Sequence, residues 1–210
     1  MRKLIFFLFA FLLAISLLSF DSQEKNKLFR QGDIIFQTSL SAQSQAIQLA
    51  TKSNYSHFGI IFKEAENIFV YEAVQPVKKT LLKDWIKRGK NQQYVVKRLK
   101  KTNLLESESS IATLKKEVTK LLGKKYDIYF NWSDDAIYCS ELIWKAYKRA
   151  LNVELGKLEK LSDFDLSNPI VKKIIAQRYG KNIPLNESVI SPACVFESDL
   201  LEEVKLPKIR

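Results

Sequence analysis

Histidine and cysteine are scarce in this chain of 210 residues, which contains one histidine and two cysteines. Protein zinc sites usually need four ligands at compact spacing, drawn largely from these two residue types. His57, Cys139 and Cys194 are far apart in the sequence. We therefore expect no metal site, and no other motif implies a cofactor.

Two cysteines are also too few for a disulfide framework of the kind that holds small secreted domains together. A chain of this length can bury a hydrophobic core without such a crosslink. One disulfide between Cys139 and Cys194 stays open as an alternative to a reactive thiol.

Acidic residues are outnumbered, with 23 Asp and Glu against 34 Lys and Arg, which gives a net charge of +11. The lysines are spread along the chain, so an anionic partner such as an envelope surface is expected. Zinc-finger spacing, a helix-turn-helix signal and an aromatic-basic ribonucleoprotein motif are all missing. Nucleic acid is therefore not the predicted partner.

The N-terminus has the pattern of an export segment. Arg2 and Lys3 precede an uncharged stretch from Leu4 to Phe20, and charge returns at Asp21. We interpret residues 1–20 as a signal peptide, with an uncleaved membrane anchor as the alternative. The protein is expected to be exported to the periplasm or cell envelope, and residues 28–205 are expected to form one folded domain.

Hydrophobic patterning predicts strands first and helices later. Strands are expected over Ile34–Phe36, His57–Phe62, Ile68–Val74 and Tyr94–Leu99, with short helices over Ser41–Ala50 and Leu81–Arg88. Longer helices are expected over Glu106–Leu122, from Cys139 to Leu151 and from Pro169 to Gln177, the first ended by Gly123. The predicted class is α+β, an antiparallel sheet packed against helices.

The hairpin formed by the second and third strands brings together two polar residues. In a symmetric hairpin with its centre between Glu64 and Ala65, His57 lies directly opposite Glu72. Directly opposed residues have Cβ atoms about 4.5–5.5 Å apart. A carboxylate at that distance can accept a hydrogen bond from the imidazole and fix its tautomer. An ordinary polar pair across two strands is the alternative.

Cys139 lies at the predicted start of a helix, where free backbone N–H groups and the helix dipole favour a thiolate. A nearby imidazole can take the thiol proton, and the same N–H groups can bind the oxyanion that forms when the thiolate attacks a carbonyl. Cys139, His57 and Glu72 are thus the candidate catalytic residues. Tyr126, Asp127 and Gln37 are neighbours of this region to which the sequence assigns no role.

Three segments carry a resemblance to a known group: GDIIFQTSLSAQSQAIQLATKSNYSHFGIIF, VYEAVQPVKKTLLKDWIKRG and GKKYDIYFNWSDDAIYCSELIWKAY. They resemble the circularly permuted branch of the NlpC/P60 superfamily, the YiiX/YaeF-like papain-fold thiol hydrolases. In ordinary members the cysteine precedes the histidine, whereas here His57 and Glu72 precede Cys139. The resemblance implies a permuted papain-like fold with Cys139 as nucleophile, His57 as general base and Glu72 orienting the histidine.

The resemblance also implies an exported hydrolase that cleaves an amide bond through a thioester acyl-enzyme. The expected substrate is cell-envelope material, either a peptidoglycan peptide or an N-acyl amino acid. A lipid-directed amidase or acyltransferase with the same residues is one alternative. A non-catalytic envelope-binding domain with a Cys139–Cys194 disulfide is the other. A long apolar pocket favours a lipid substrate, and a polar groove favours a wall peptide.

Overall fold

A computed structural model describes residues 28–205 of the chain, and residues 31–205 form one compact unit. The predicted signal peptide or anchor, residues 1–20, lies outside the described residues. Among the described helices, none combines the length and apolar character needed to cross a bilayer.

One six-stranded antiparallel sheet organises the unit. Its strands are β1 (Ile34–Gln37), β2 (His57–Glu64), β3 (Asn67–Glu72), β4 (Lys78–Leu81), β5 (Val95–Leu99) and β10 (Leu201–Glu203). The spatial order is β10-β5-β1-β2-β3-β4. Two-stranded ladders join β6 (Lys125–Tyr126) to β7 (Ala136–Ile137) and β8 (Glu159–Lys160) to β9 (Ser188–Val189). The four predicted strands are all present, whereas the short strands were not predicted because two to four residues carry little periodicity.

The register of the β2–β3 hairpin differs from the prediction. Ile60 pairs with Tyr71 and Glu64 with Asn67, so the hairpin centre falls between Ala65 and Glu66. Ala65 has a φ of 50°, in the left-handed region that tight hairpin turns use. The direct pairing of His57 with Glu72 was therefore wrong by two residues, because the polar loop is shorter than expected and β2 extends through Glu64.

Within residues 28–205, six α-helices accompany the sheet: α1 (Ala42–Thr51), α2 (Leu82–Lys87), α3 (Glu108–Thr119), α4 (Cys139–Leu151), α5 (Pro169–Tyr179) and α6 (Pro192–Phe196). The predicted helix from Cys139 to Leu151 is confirmed. The helix predicted over Glu106–Leu122 is shorter, since bonds from Leu121 to Val118 and from Leu122 to Thr119 tighten its last turn before Gly123.

The main core lies between the sheet and the helices α3 and α4. Side chains with no measurable exposure include Phe36, Phe58, Phe62, Leu114 and Tyr147. Trp85 and Trp144 are both buried as well. The sheet therefore supports α4 from its first turn, which fixes the position of Cys139 at the helix N-terminus. The observed architecture is the predicted α+β class.

Candidate active site

Cys139 is the first residue of α4, and its side chain is 2% exposed. Tyr138 caps the helix with extended backbone and makes no side-chain capping bond. The amides of the first helical turn have no carbonyl in a preceding turn to bind, so they are available to an anionic group at this end. The thiol of Cys139 therefore lies at a helix N-terminus, as the sequence predicted.

His57 contacts both other candidate residues. Its Nε2 lies 2.7 Å from Oε2 of Glu72, and Cys139 is within hydrogen-bonding reach of the ring. Burial lowers the pKa of His57, but the bonds to Cys139 and Glu72 outweigh it and raise the pKa to about 9. The imidazole is therefore protonated at neutral pH. Trp85 stacks against the ring, with centroids 6.0 Å apart, and limits its rotation.

Glu72 is fully buried and accepts three hydrogen bonds. His57 binds Oε2, while Thr80 Oγ1 at 2.6 Å and a terminal nitrogen of Arg88 bind Oε1. Burial opposes ionisation, yet the bonds from His57 and Thr80 and the charge of Arg88 lower the pKa of Glu72 to about 2. The carboxylate is thus ionised across the neutral range and held in one orientation.

Glycine at position 59 lets the two strands of the hairpin approach closely beside His57 and Glu72. The observed register, extended by one pair, places Glu72 opposite Gly59 on β2. A Cβ at position 59 would lie 2.5 Å from Val70 Cγ1 and 2.6 Å from the Tyr71 carbonyl oxygen. Glu72 reaches diagonally to His57, two residues along the same face, and a side chain at position 59 would push against the strand that carries Glu72.

Tyr126 is brought to the site by the short parallel ladder of β6 and β7, where it pairs with Ile137. Its hydroxyl accepts a bond of 2.7 Å from Gln43 Nε2, and Gln43 Oε1 accepts one of 2.6 Å from Arg178. Burial and then the charge of Cys139 raise the pKa of Tyr126 well above its ordinary value. The phenol therefore keeps its proton and can donate it in a hydrogen bond.

Asp127 shapes the aromatic loop beside the site. Its carboxylate accepts bonds from the backbone N–H groups of Tyr129, at 2.7 Å, and Asn131, at 2.6 Å. These bonds close a loop in which Phe130 has a φ of 54°. Asp127 thus supports the segment that leads into α4 and binds neither Cys139 nor His57.

An apolar pocket of about 100 Å³ adjoins Cys139. Helices α1 and α5 and the segments around residues 161–166 and 189–192 form its walls. The lining side chains are mostly aliphatic or aromatic and include Ala46, Ile47, Ala50, Phe130, Leu161, Phe164, Leu166, Val171, Ile174, Ile175, Val189 and Ile190. Since about 10–15 Å³ holds one water molecule, the pocket has room for several methylene groups.

A polar groove lies on the His57 side. It is lined by Gln37, Ser39, Leu40, Ser41, Gln43, Ser44, Ile47, Ser56, His57, Ala73, Val74, Gln75, Arg88, Tyr126 and Ile128. Gln43, Ile47 and Tyr126 also line the apolar pocket, so the two depressions adjoin each other. Cys139 therefore faces an apolar space while His57 faces a polar one.

Sequence reasoning missed four residues that hold this site: Gln43, Thr80, Arg88 and Arg178. Each acts through a tertiary contact made by an element remote in sequence from Cys139. Local sequence pattern gives no signal for the role of any of the four. Ser140 and Glu141 follow Cys139 in the first turn of α4, and both are buried.

Known proteins are similar to this chain over most of its length. Residues 29–205 match the family described as "Permuted papain-like amidase enzyme, YaeF/YiiX, C92 family". The protein YiiX of Escherichia coli strain K12 is 49% identical over 173 residues, which cover 82% of this chain and 84% of YiiX. The crystal structure of metalloprotein yiiX from Escherichia coli O157:H7 has a TM-score of 0.80 and 48% identity, covering 84% of this chain and 96% of that chain. The chain therefore belongs to the permuted papain-like amidases of the YaeF/YiiX group, a family of cysteine enzymes with a papain-like fold.

Proposed function

We propose that the protein hydrolyses amides whose acyl part is apolar, through a Cys139–His57–Glu72 triad and a thioester intermediate. The observation that carries this proposal is the apolar pocket next to Cys139. A thiol at the mouth of an aliphatic pocket can attack the carbonyl of an acyl chain that occupies the pocket. The polar groove on the His57 side then receives the amine that leaves.

The chemistry uses a thiolate and an imidazolium. Cys139 Sγ forms a bond to the carbonyl carbon, the carbon–nitrogen bond breaks, and His57 gives its proton to the departing amine. A water molecule then attacks the thioester carbon and transfers a proton to His57. The carbon–sulfur bond breaks, the carboxylic acid leaves, and the thiolate–imidazolium pair is restored. Glu72 stabilises the imidazolium whenever it is present.

Two groups support the developing oxyanion. The backbone amides at the start of α4 point toward charge that forms beside Cys139. The Tyr126 hydroxyl already accepts a bond from Gln43, so its own proton remains for a second acceptor. In this proposal Tyr126 donates that proton in a hydrogen bond to the oxyanion, and the Arg178–Gln43 chain holds the phenol in place.

A metal does not fit this part of the chain. The similar E. coli O157:H7 structure is described as a metalloprotein. Within residues 28–205, no three side chains of His, Cys, Asp or Glu are grouped so that they could hold a metal ion. The one described histidine contacts Glu72 and Cys139 instead. The proposed reaction therefore has no metal-dependent step.

The disulfide-bonded binding domain is not favoured. Cys139 and Cys194 are both free thiols, on α4 and α6 respectively. Cys194 Sγ donates to the carbonyl oxygen of Lys157 at 3.3 Å. Each thiol thus has a separate environment, which supports a reactive role for Cys139 rather than a structural crosslink.

Export to the cell envelope is part of the proposal. The apolar segment after Arg2 and Lys3 supports secretion, and the net charge of +11 supports encounter with anionic envelope material. An envelope also supplies acyl chains and amide-linked head groups, the two parts that the pocket and the groove are suited to bind.

A substrate panel tests the proposed function. Purified protein is incubated with N-octanoylglycinamide, N-acetylglycinamide and soluble wall peptides, and amine release is measured. We expect the octanoyl amide to have the highest kcat/KM and the Cys139→Ala protein to release no amine. Faster cleavage of wall peptides than of the octanoyl amide would overturn the acyl-chain assignment.

A further inference from the structure

Arg88 follows the last residue of α2, and its side chain contacts the buried Glu72 and also lines the polar groove. One terminal nitrogen donates to Glu72 Oε1, which is fully buried, while the Arg88 side chain itself is 42% exposed. Within residues 28–205 the remaining guanidinium N–H groups have no hydrogen-bond partner. Since a guanidinium carries five donors, most of its capacity is unused on the groove side.

The charged side chains that line the groove around Arg88 are all positive. Among the described residues that line it, Arg88 and His57 carry positive charge, and none carries a carboxylate. The remaining polar lining consists of serine, glutamine and tyrosine side chains, which are neutral. An anion in this groove would therefore meet two cations at the wall, while the carboxylate that they share, Glu72, is fully buried behind them.

The position of the Arg88 guanidinium limits how far the anionic group of a substrate can be from the amide nitrogen that leaves. His57 and Arg88 bind the two oxygens of the same carboxylate, that of Glu72. The Arg88 guanidinium and the His57 imidazole are thus separated by the carboxylate of Glu72 alone. In the proposed reaction His57 protonates the leaving nitrogen. An acidic group within reach of Arg88 must be attached close to that nitrogen, as the α-carboxylate of an amino acid is.

We infer that Arg88 binds the carboxylate of the leaving amino acid, so that the substrate class is N-acyl amino acids. The inference rests on the proposed function, since it assigns the leaving group of that reaction. A planar guanidinium matches a carboxylate through two parallel N–H bonds, which gives both affinity and orientation. Arg88 also binds Glu72, so the same side chain joins the substrate carboxylate to the group that orients His57.

The first test compares two substrates with the unaltered protein. N-Octanoylglycine and N-octanoylglycinamide share the acyl chain and the scissile amide but differ in the carboxylate. We expect kcat/KM for the glycine conjugate to be about tenfold to a hundredfold higher, the range for a charged hydrogen-bonded contact. Equal values, or a preference for the amide, overturn the inference without affecting the proposed reaction.

The Arg88→Met variant tests whether Arg88 causes the preference for N-octanoylglycine. Arg88→Met removes the guanidinium and should abolish the preference for N-octanoylglycine. Because Arg88 also binds Glu72, cleavage of both substrates should slow, and the readout is the ratio of the two kcat/KM values. Lys87→Met removes the same charge from an exposed neighbour on α2 that does not line the groove, and should keep the preference. A preference that survives in Arg88→Met, or is lost in Lys87→Met, overturns the assignment to Arg88.

A third substrate separates carboxylate from phosphate, since a guanidinium binds both anions. N-Octanoyl-phosphoethanolamine places its phosphate farther from the amide nitrogen than the carboxylate of N-octanoylglycine. We expect it to be the poorer substrate of the two. If it is cleaved faster, the carboxylate assignment is wrong. Absence of amine release from all three compounds instead counts against the proposed function itself.

Discussion

Glu72 lies opposite Gly59 across the β2–β3 hairpin, and its Oε2 is 2.7 Å from Nε2 of His57, two residues from Gly59 on β2. The two strands approach so closely here that a Cβ at position 59 would overlap Val70 and the Tyr71 carbonyl. The orientation of the imidazole therefore rests on the backbone register and on the close approach of the two strands.

Gly59→Ala should damage both the fold and the reaction. The added Cβ would lie 2.5 Å from Val70 Cγ1 and 2.6 Å from the Tyr71 carbonyl oxygen, so the hairpin must shift. We expect the free energy of unfolding to fall by about 1–3 kcal/mol. Glu72 should also lose its alignment with His57. Denaturant unfolding and kcat measured on the folded fraction check the two effects, and unchanged values of both would contradict this role for Gly59.

Glu72→Gln should slow turnover by about a hundredfold, as expected for loss of a group that supports proton transfer. The variant keeps the shape of the side chain but removes the charge that stabilises the imidazolium. The rate should still exceed that of Cys139→Ala, because the helix N-terminus and the nucleophile remain.

Glu64→Gln is the matched control for that variant. Glu64 ends β2 in the same hairpin and binds Tyr71, Lys79 and Lys115 rather than His57. Its replacement should leave kcat close to that of the unaltered protein. If both variants slow turnover equally, the effect belongs to the hairpin and not to the orientation of His57.

The pH dependence of kcat/KM should report His57. Its pKa is raised to about 9, so the imidazolium that protonates the leaving amine is present at neutral pH and is lost as pH rises through about 9. We therefore expect a descending alkaline limb near pH 9. In Glu72→Gln this limb should move to lower pH, because a bond that raises the pKa of His57 is weakened. An alkaline limb in the same place for both proteins would contradict the coupling.

Filling the apolar pocket should change the acyl-chain preference. Ala50 is half-buried and lines the pocket, so Ala50→Leu shortens the space for an acyl chain. We expect kcat/KM for an octanoyl amide to fall about tenfold or more, with little change for an acetyl amide, since each misplaced methylene is costly. Ala42→Leu adds the same side chain at an exposed position of α1 and should change neither. Equal losses for both substrates in Ala50→Leu would contradict a role of the pocket in chain binding.

The sequence was informative where local pattern determines structure. The helix from Cys139 to Leu151 follows from apolar spacing, and the strands around Ile34 and His57 from short runs of β-forming residues. The proximity of His57 to Glu72 was expected despite a wrong register, because an error of two residues keeps both side chains on the same face of the sheet. An error of one residue would have separated them.

The residues that hold the catalytic side chains in place could not be predicted from the local sequence pattern. Arg178 on α5 holds Gln43 on α1, and the two residues are 135 positions apart. Arg88 and Thr80 reach Glu72 from α2 and β4, whose placement depends on how the sheet edge packs. The apolar pocket likewise forms from segments spread over residues 43–192, so only the folded chain brings its walls together.

The formation of an octanoyl thioester on Cys139 tests the central claim most directly. The protein is mixed with N-octanoylglycinamide, quenched in acid during turnover, and analysed by intact mass and peptide mapping. We predict one octanoyl group on the peptide that contains Cys139, and none in the Cys139→Ala protein. An octanoyl group on Cys194, or continued amide hydrolysis by Cys139→Ala, would contradict the account.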